Sequence, residues 1–208
     1  MARVEGVAAP PKTAKGRETR ERIVTAASEL IHARGVAETS VDDVIDHADA
    51  SKSQLYHYFD DRSALVRAVV AHNANGVLDG LPPIESWSAM RSWLDALVEL
   101  QVARSARGGC PIGSLVGQLS ESDELARLEL ATSLERWRVH LREGLSSMRA
   151  AGKLDRRADP DELATATLAA IQGGLLLTQA SRDPGRLKSA VDAAYAHLRA
   201  HATIGRRA

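Results

Sequence analysis

From residue 16 onward the apolar side chains recur at intervals of three and four positions, and no segment shows the alternation of a half-buried strand. That spacing predicts helices. Ile23, Ala27, Leu30 and Ile31 form a first stripe, which Gly35 ends. Val41, Val44, Ile45 and Ala48 form a second, with Thr39 or Ser40 as its cap and an acid three positions on. Asp49-Ala50-Ser51 has the composition of a turn, and Ser51 can cap a third helix in which Leu55 and Phe59 lie one turn apart. Asp60 or Asp61 then caps a fourth helix carrying Leu65, Ala68, Val69 and His72. Two short helices joined by a tight turn make a helix-turn-helix arrangement over the last part of residues 16–62.

Beyond Pro82-Pro83 the predicted helices lengthen. Trp87, Met90, Leu94, Leu97 and Gln101 share one face of a helix stopped by Gly108-Gly109. A short segment follows Cys110-Pro111. Leu125, Leu128, Leu134, Trp137, Leu141, Leu145 and Met148 stay in register along a long helix over about residues 122–150, with Gly152 as its terminator. The next helix has a strong start: Asp159 as cap, Pro160 in the first helical position and Glu162 placed to reach back. It is apolar around most of its circumference and should be buried on more than one side. A last helix spans about residues 184–202. The expected fold class is all-α: a three-helix N-terminal domain, then a larger helical one, with about nine helices in total.

Composition agrees. The chain has 208 residues and is 44% hydrophobic, rich in Ala and Leu and poor in β-branched and aromatic residues. No apolar run approaches the roughly 18 to 20 residues that cross a bilayer, and the start lacks the apolar core of a secretory signal. A cytoplasmic protein with no membrane partner is expected. The single cysteine, Cys110, excludes an internal disulfide framework and argues against a cysteine-based zinc site. His32 and His140 are isolated, so no metal and no cofactor are expected. Net charge is zero, with 27 basic and 27 acidic residues, so a nucleic-acid partner must be argued locally. Residues 1–15 read as a flexible basic arm, the basic character continuing from Lys12 and Lys15 into Arg17, Arg20 and Arg22. Asp42, Asp43, Asp46 and Asp49 follow.

The stretch "SKSQLYHYFDDRSAL" concentrates three aromatics in a chain whose aromatic content is 3%. With Leu55 and Phe59 turned inward, Lys52, Ser53 and Gln54 form an outward first turn able to meet base edges in a major groove. Tyr56, His57 and Tyr58, with Arg62 at the next helix start, suit phosphate oxygens. The competing reading is that Tyr56 and Tyr58 merely pack between the third and fourth helices.

"TRERIVTAASELIHARGVAETSVDDVIDHADASKSQLYHYFDDRSALVRAVV" resembles the N-terminal DNA-binding domain of the TetR family of bacterial transcriptional regulators. The shared features are the small-residue first helix, the Thr-Ser start of the second and the Leu-Tyr-x-x-Phe ending of the third. The resemblance implies that Lys52, Ser53, Gln54, Tyr56 and His57 occupy recognition-helix positions and that Ser40 meets a phosphate. Three departures stand out. The turn reads Ala48-Asp49-Ala50-Ser51 where Ala-Gly-Val-Ser is usual, Arg62 replaces the usual Lys, and His57-Tyr58 reverses the common order. Asp tolerates left-handed dihedrals better than most residues, so the turn should survive.

The resemblance further implies that residues 63–208 bind an effector and dimerise, the last two long helices forming a four-helix interface with a second copy. The partners expected are double-stranded DNA with a palindromic operator, the chain itself as a homodimer, and a small, largely hydrophobic effector. "ATATLAAIQGGLLLTQAS" suits the interface, its small residues allowing close approach. Candidate pocket residues are Trp93, Leu97, Gln101, Leu115, Gln118, Leu119, Trp137, Leu141 and Gln172, each of which could equally be ordinary core. Cys110 could sit near a helix N-terminus, with a lowered thiol pKa suited to sensing electrophiles or oxidants; the alternative is a small buried hydrophobe. No Gly-rich loop, paired-carboxylate motif or Ser/His/Asp spacing supports an enzyme. A constitutive DNA-binding dimer without an effector is the remaining alternative.

Overall fold

The computed structural model describes residues 11–203. Among them are nine α-helices and no strand, apart from an isolated antiparallel bridge between Leu154 and Ala202. The helices are α1 (Ala14–Arg34), α2 (Val41–His47), α3 (Lys52–Tyr58), α4 (Arg62–Leu78), α5 (Trp87–Ala103), α6 (Gly113–Leu119), α7 (Glu124–Ala150), α8 (Pro160–Ser181) and α9 (Gly185–Ala200). The all-α class is as the apolar spacing predicts. Helix α1 begins earlier than Gly16, because the Thr13 hydroxyl accepts from the Gly16 amide 3.1 Å away and so caps the first turn. Residues 1–10 of the expected arm lie outside the described residues.

The chain folds as two compact units. The first comprises the residues up to Asp79 together with Leu115–Ser133; the second comprises Gly80–Ser114 and the residues from Leu134 onward. The division therefore does not fall at residues 62 and 63. Helix α4 packs on α1, burying Leu65, Val66, Val69 and Val70 within the same core as Ile23, Val24 and Ala27. It belongs with the helices before it.

In the first unit, α2 and α3 have seven residues each, too few for helical propensity alone to hold them. Both are closed by capping boxes. Ser51 Oγ accepts from Gln54 N at 3.1 Å while Gln54 Oε1 accepts from Ser51 N at 2.8 Å. Ser40 and Asp43 make the same exchange at the start of α2. Between them Asp49 adopts φ 46°, the left-handed conformation expected of the turn. Arg22 of α1 secures that turn, donating from Nε to the Ala48 carbonyl at 2.8 Å.

The second unit is built on longer helices. Met90, Leu94, Trp137, Leu141 and Leu145 are buried in its core. Helices α8 and α9 form its most extensive pair. Gly174 makes their close approach possible: a Cβ there would lie 2.9 Å from both Ala190 Cβ and Leu187 Cδ1. The α8 cap is Asp159, which accepts from Asp161 N at 2.9 Å, with Pro160 next as expected. One expectation is corrected. By length and apolar content α8 does reach what a bilayer crossing needs, because its Gly, Thr and Gln residues interrupt the apolar run without making it charged. Leu163, Leu168, Ile171 and Leu175 of this helix are buried, whereas Leu176 and Leu177 are 66% and 57% exposed.

Candidate nucleic-acid interface

Helix α3 is oriented by two buried side chains. Leu55 is fully buried and Phe59 nearly so, and the Arg20 guanidinium lies over the Phe59 ring, 5.1 Å from its centroid. With that face fixed, Lys52, Ser53, Gln54, Tyr56 and His57 are exposed, Tyr56 at 47%. The outward turn is thus present as predicted. Tyr58 differs: it is half-buried, its ring edge-on to His57 at 4.9 Å, and it lines a cleft between α1 and α4. The packing alternative therefore applies to Tyr58 and not to Tyr56.

Of the exposed groups, Lys52 and Ser53 are the least committed. Lys52 Nζ stands 4.0 Å from Asp42 Oδ1, a solvent-exposed pair of small energetic weight. Gln54 keeps its amide NH2 for other partners while its oxygen serves the cap. Ser40 is more occupied. Its hydroxyl donates to Asp43 Oδ2 at 2.5 Å and accepts from Asp43 N, so a phosphate would have to share it. The Ser40 hydroxyl and amide hold the Asp43 carboxyl below its ordinary pKa, with Arg34 assisting from 2.8 Å.

Arg62 turns toward the protein. Its Nη2 donates to the carbonyls of Val36 and Thr39, and its Nε to Thr39 as well, at 3.3 Å. It ties the loop between α1 and α2 to the start of α4, its planar fork reaching the two carbonyls from two nitrogens. Arg62 thus has an internal role beside the expected phosphate contact, which would fall to its remaining Nη1 on an exposed side chain. Gln118, expected in an effector pocket, supports the same loop: its Oε1 accepts from Val36 N at 2.8 Å. Neither tie could be read from spacing, since both join residues far apart in sequence.

The remaining pocket candidates divide. Leu115, Gln118 and Leu119 belong to the first unit, and Trp93, Leu97, Gln101, Trp137, Leu141 and Gln172 to the second. Trp93 and Trp137 meet edge-on, 6.5 Å between centroids. Gln101 Oε1 and Trp137 Nε1 are both buried without a hydrogen-bond partner. Gln172 points elsewhere, donating to Cys110 Sγ at 3.6 Å. The lowered pKa expected for Cys110 is corrected. Burial pushes the thiol up, outweighing the Ile112 and Gly113 amides and Gln172, which all act to lower it. Its burial is what the alternative reading, a small buried hydrophobe, expects.

A buried charged cluster escaped the sequence reading. Arg67, 91% buried at its side chain, donates from Nη1 to Asp123 Oδ2 at 3.3 Å. Glu129 lies near enough for the Arg67 charge to lower its pKa, yet burial prevails and raises it. An arginine inside the otherwise apolar run "ALVRAVVA" was the available signal.

Comparison with known proteins agrees with this geometry. Residues 23–69 match the model of the bacterial regulatory proteins of the tetR family, and residues 87–194 match that of the tetracyclin repressor-like C-terminal domain. A helix-turn-helix transcriptional regulator from the lacX 3′ region of Lactococcus lactis subsp. lactis is 32% identical over 185 residues, 85% of this chain and 91% of that one. The helix-turn-helix transcriptional repressor DhaR of Mycobacterium sp. strain GP1 is 22% identical, over 79% of this chain and 84% of its own. In fold, a TetR transcriptional regulator from Chloroflexus aurantiacus superposes with a TM-score of 0.76 at 22% identity, covering 91% of this chain and 98% of that one. With both family domains matched, the chain belongs to the TetR family of DNA-binding transcriptional regulators.

Proposed function

We propose that the protein is a repressor that binds a palindromic operator as a homodimer and is released by a small, largely hydrophobic effector. The observation that carries the DNA-reading part is the outward first turn of α3, held by a two-sided cap and two buried anchors. Lys52, Ser53 and Gln54 read base edges, while Tyr56 and His57 meet the phosphates beside them. Tyr58, Ser40 and Arg62 act mainly by holding this surface in place.

Dimerisation is supported by the outer face of α8. Ala166, Ala169, Gly173, Leu176, Leu177 and Ala180 are exposed at helical spacing and make one apolar stripe. Small residues let a partner helix approach and the two leucines fill the space between. Two-fold pairing through α8 and α9 would present two α3 helices to half-sites about 34–36 Å apart. The effector reading is supported by Gln101 and Trp137, whose unpaired acceptor and donor a ligand could satisfy among Trp93, Leu97 and Leu141.

Selection of bound duplexes from a random library at fixed salt tests the proposal, comparing the parent with Lys52→Ala and Tyr56→Ala. An inverted repeat that weakens or blurs in the variants is expected. Enrichment unchanged by either substitution would remove α3 as the reading element. Sedimentation of Leu176→Arg tests the dimer, which should fall to monomer.

A further inference from the structure

The first unit contains a cleft of about 490 Å³ that the DNA-reading role does not use. Its walls come from α1, α4 and the start of α7. Ala64, Ala68 and Ala71 leave room along α4, and Val24 and Phe59 give an apolar floor. At one end stand Arg67 and Glu129, each with a buried polar atom lacking any partner: Nε of Arg67, a donor, and Oε2 of Glu129, an acceptor. A buried arginine donor and a buried carboxylate oxygen are among the costliest atoms to leave unpaired, and both belong to residues that line the cleft, so a small turn of either side chain would bring its atom to an occupant.

Charge decides what could occupy that space. The Arg67 guanidinium is already matched by Asp123. Glu129 is therefore the excess charge of this end, two carboxylates standing against one guanidinium. Arg20, which keeps its charge while stacked over Phe59, and Asp79 add one charge of each sign to the lining, and Glu21 is paired with His72 at 3.0 Å. An anion would meet uncompensated carboxylate; a cation would be welcomed by Glu129 and would still leave Arg67 Nε needing an acceptor.

We propose that this cleft is a binding site for a small organic cation of the amino-alcohol type. Its ammonium donates to Glu129 Oε2, its hydroxyl oxygen accepts from Arg67 Nε, and its apolar body lies on Val24, Phe59 and Ala68. The site lies wholly within the first unit and is separate from the effector site proposed for the second. Tyr58 and Phe59, at the end of the reading helix, line it as well, so an occupant bears directly on how α3 is seated.

The test needs no operator, so it stands or falls apart from the repressor reading. The full chain, labelled with nitrogen-15, is titrated with 2-amino-1-phenylethanol, benzylamine and benzoate, which share one apolar body. The amino alcohol should shift amides of α4 and of residues 58 and 59 and saturate, benzylamine should bind more weakly, and benzoate should not saturate. Glu129→Gln, isosteric but neutral, should weaken the amino alcohol by about tenfold or more, as loss of a charge-assisted bond requires. Ala68→Leu, which fills the cleft without touching the charges, should abolish the shifts while the remaining spectrum stays that of a folded protein. Benzoate binding as tightly as the amines, no saturable shifts in α4, or a Glu129→Gln variant that binds unchanged would each overturn the proposal.

Discussion

Two helix pairs in this molecule are held together by opposite means. Helices α2 and α3 are seven residues each, and side chains that reach back to backbone hold them: Ser40, Ser51, Gln54, Arg22 and Arg62. Helices α8 and α9 have 22 and 16 residues and meet along their length, Gly174 bringing one backbone against Leu187 and Ala190. The first pair is fixed by directed hydrogen bonds, the second by shape. A reading surface requires placement of exposed polar groups, which buried apolar area alone does not direct. A packed pair requires steric fit, and few of its polar groups matter.

The comparison breaks most readily at its apolar anchors. Leu55→Ala removes the one fully buried side chain of α3 and should cost about 2–5 kcal/mol, the range for truncating a buried leucine. Urea unfolding of the first unit would read it, and amide exchange in α3 should accelerate beyond that in α1. In the other pair Gly174→Val should cost about 1–3 kcal/mol, because branched atoms would enter space already occupied by Leu187 and Ala190. The same measurement should find α2 and α3 unaffected. If Gly174→Val is neutral, α8 and α9 slide apart more freely than a shape-fixed pair allows.

The same contrast explains what sequence could disclose. Helical spacing is local, so the nine helices and the outward turn of α3 were legible from the stripes of Leu55 and Phe59 and from the caps. Asp49 in the left-handed region was legible too, because turn chemistry depends on neighbours in the chain. The ties of Arg62 to Val36 and of Gln118 to Val36 were not, since each needs the fold before the partners meet. Gln118 looked like a pocket amide for that reason. Cys110 misled through its position: proximity to a helix start suggested a lowered pKa, and burial, invisible in one sequence, overrides it. The Arg67, Asp123 and Glu129 cluster joins α4 to residues more than fifty positions away.

A milder change sharpens the contrast at the directed end. Ser51→Ala deletes one half of the α3 capping box and should cost about 1 kcal/mol. Its effect on α3 should exceed its effect on the whole unit, because the remaining Gln54 contact to Ser51 N cannot by itself restore the freed Gln54 amide. Amide exchange at residues 53–55 checks it, with protection falling there first. A uniform loss across the unit would mean that the buried Leu55 and Phe59, and not the cap, set the stability of the helix.

The smallest effect is expected in the turn itself. Asp49 holds φ 46°, where a Cβ crowds the following carbonyl and glycine has no such crowding. Against that, glycine gains more freedom in the unfolded chain. The two nearly balance, with the relief of crowding slightly larger, so Asp49→Gly should stabilise by about 0.5 kcal/mol. The Arg22 bonds to this turn go to the Ala48 and Asp49 carbonyls, not to the Asp49 side chain, so they survive the substitution. Removing one carboxylate beside the reading surface should also raise affinity for DNA, and more so at low salt, where exposed charges are screened least. Thermal unfolding with binding at two salt concentrations separates the contributions: a stability gain independent of salt belongs to the backbone, and an affinity gain that vanishes with salt belongs to the charge. Loss of stability would mean that the aspartate side chain holds the turn through a contact of its own.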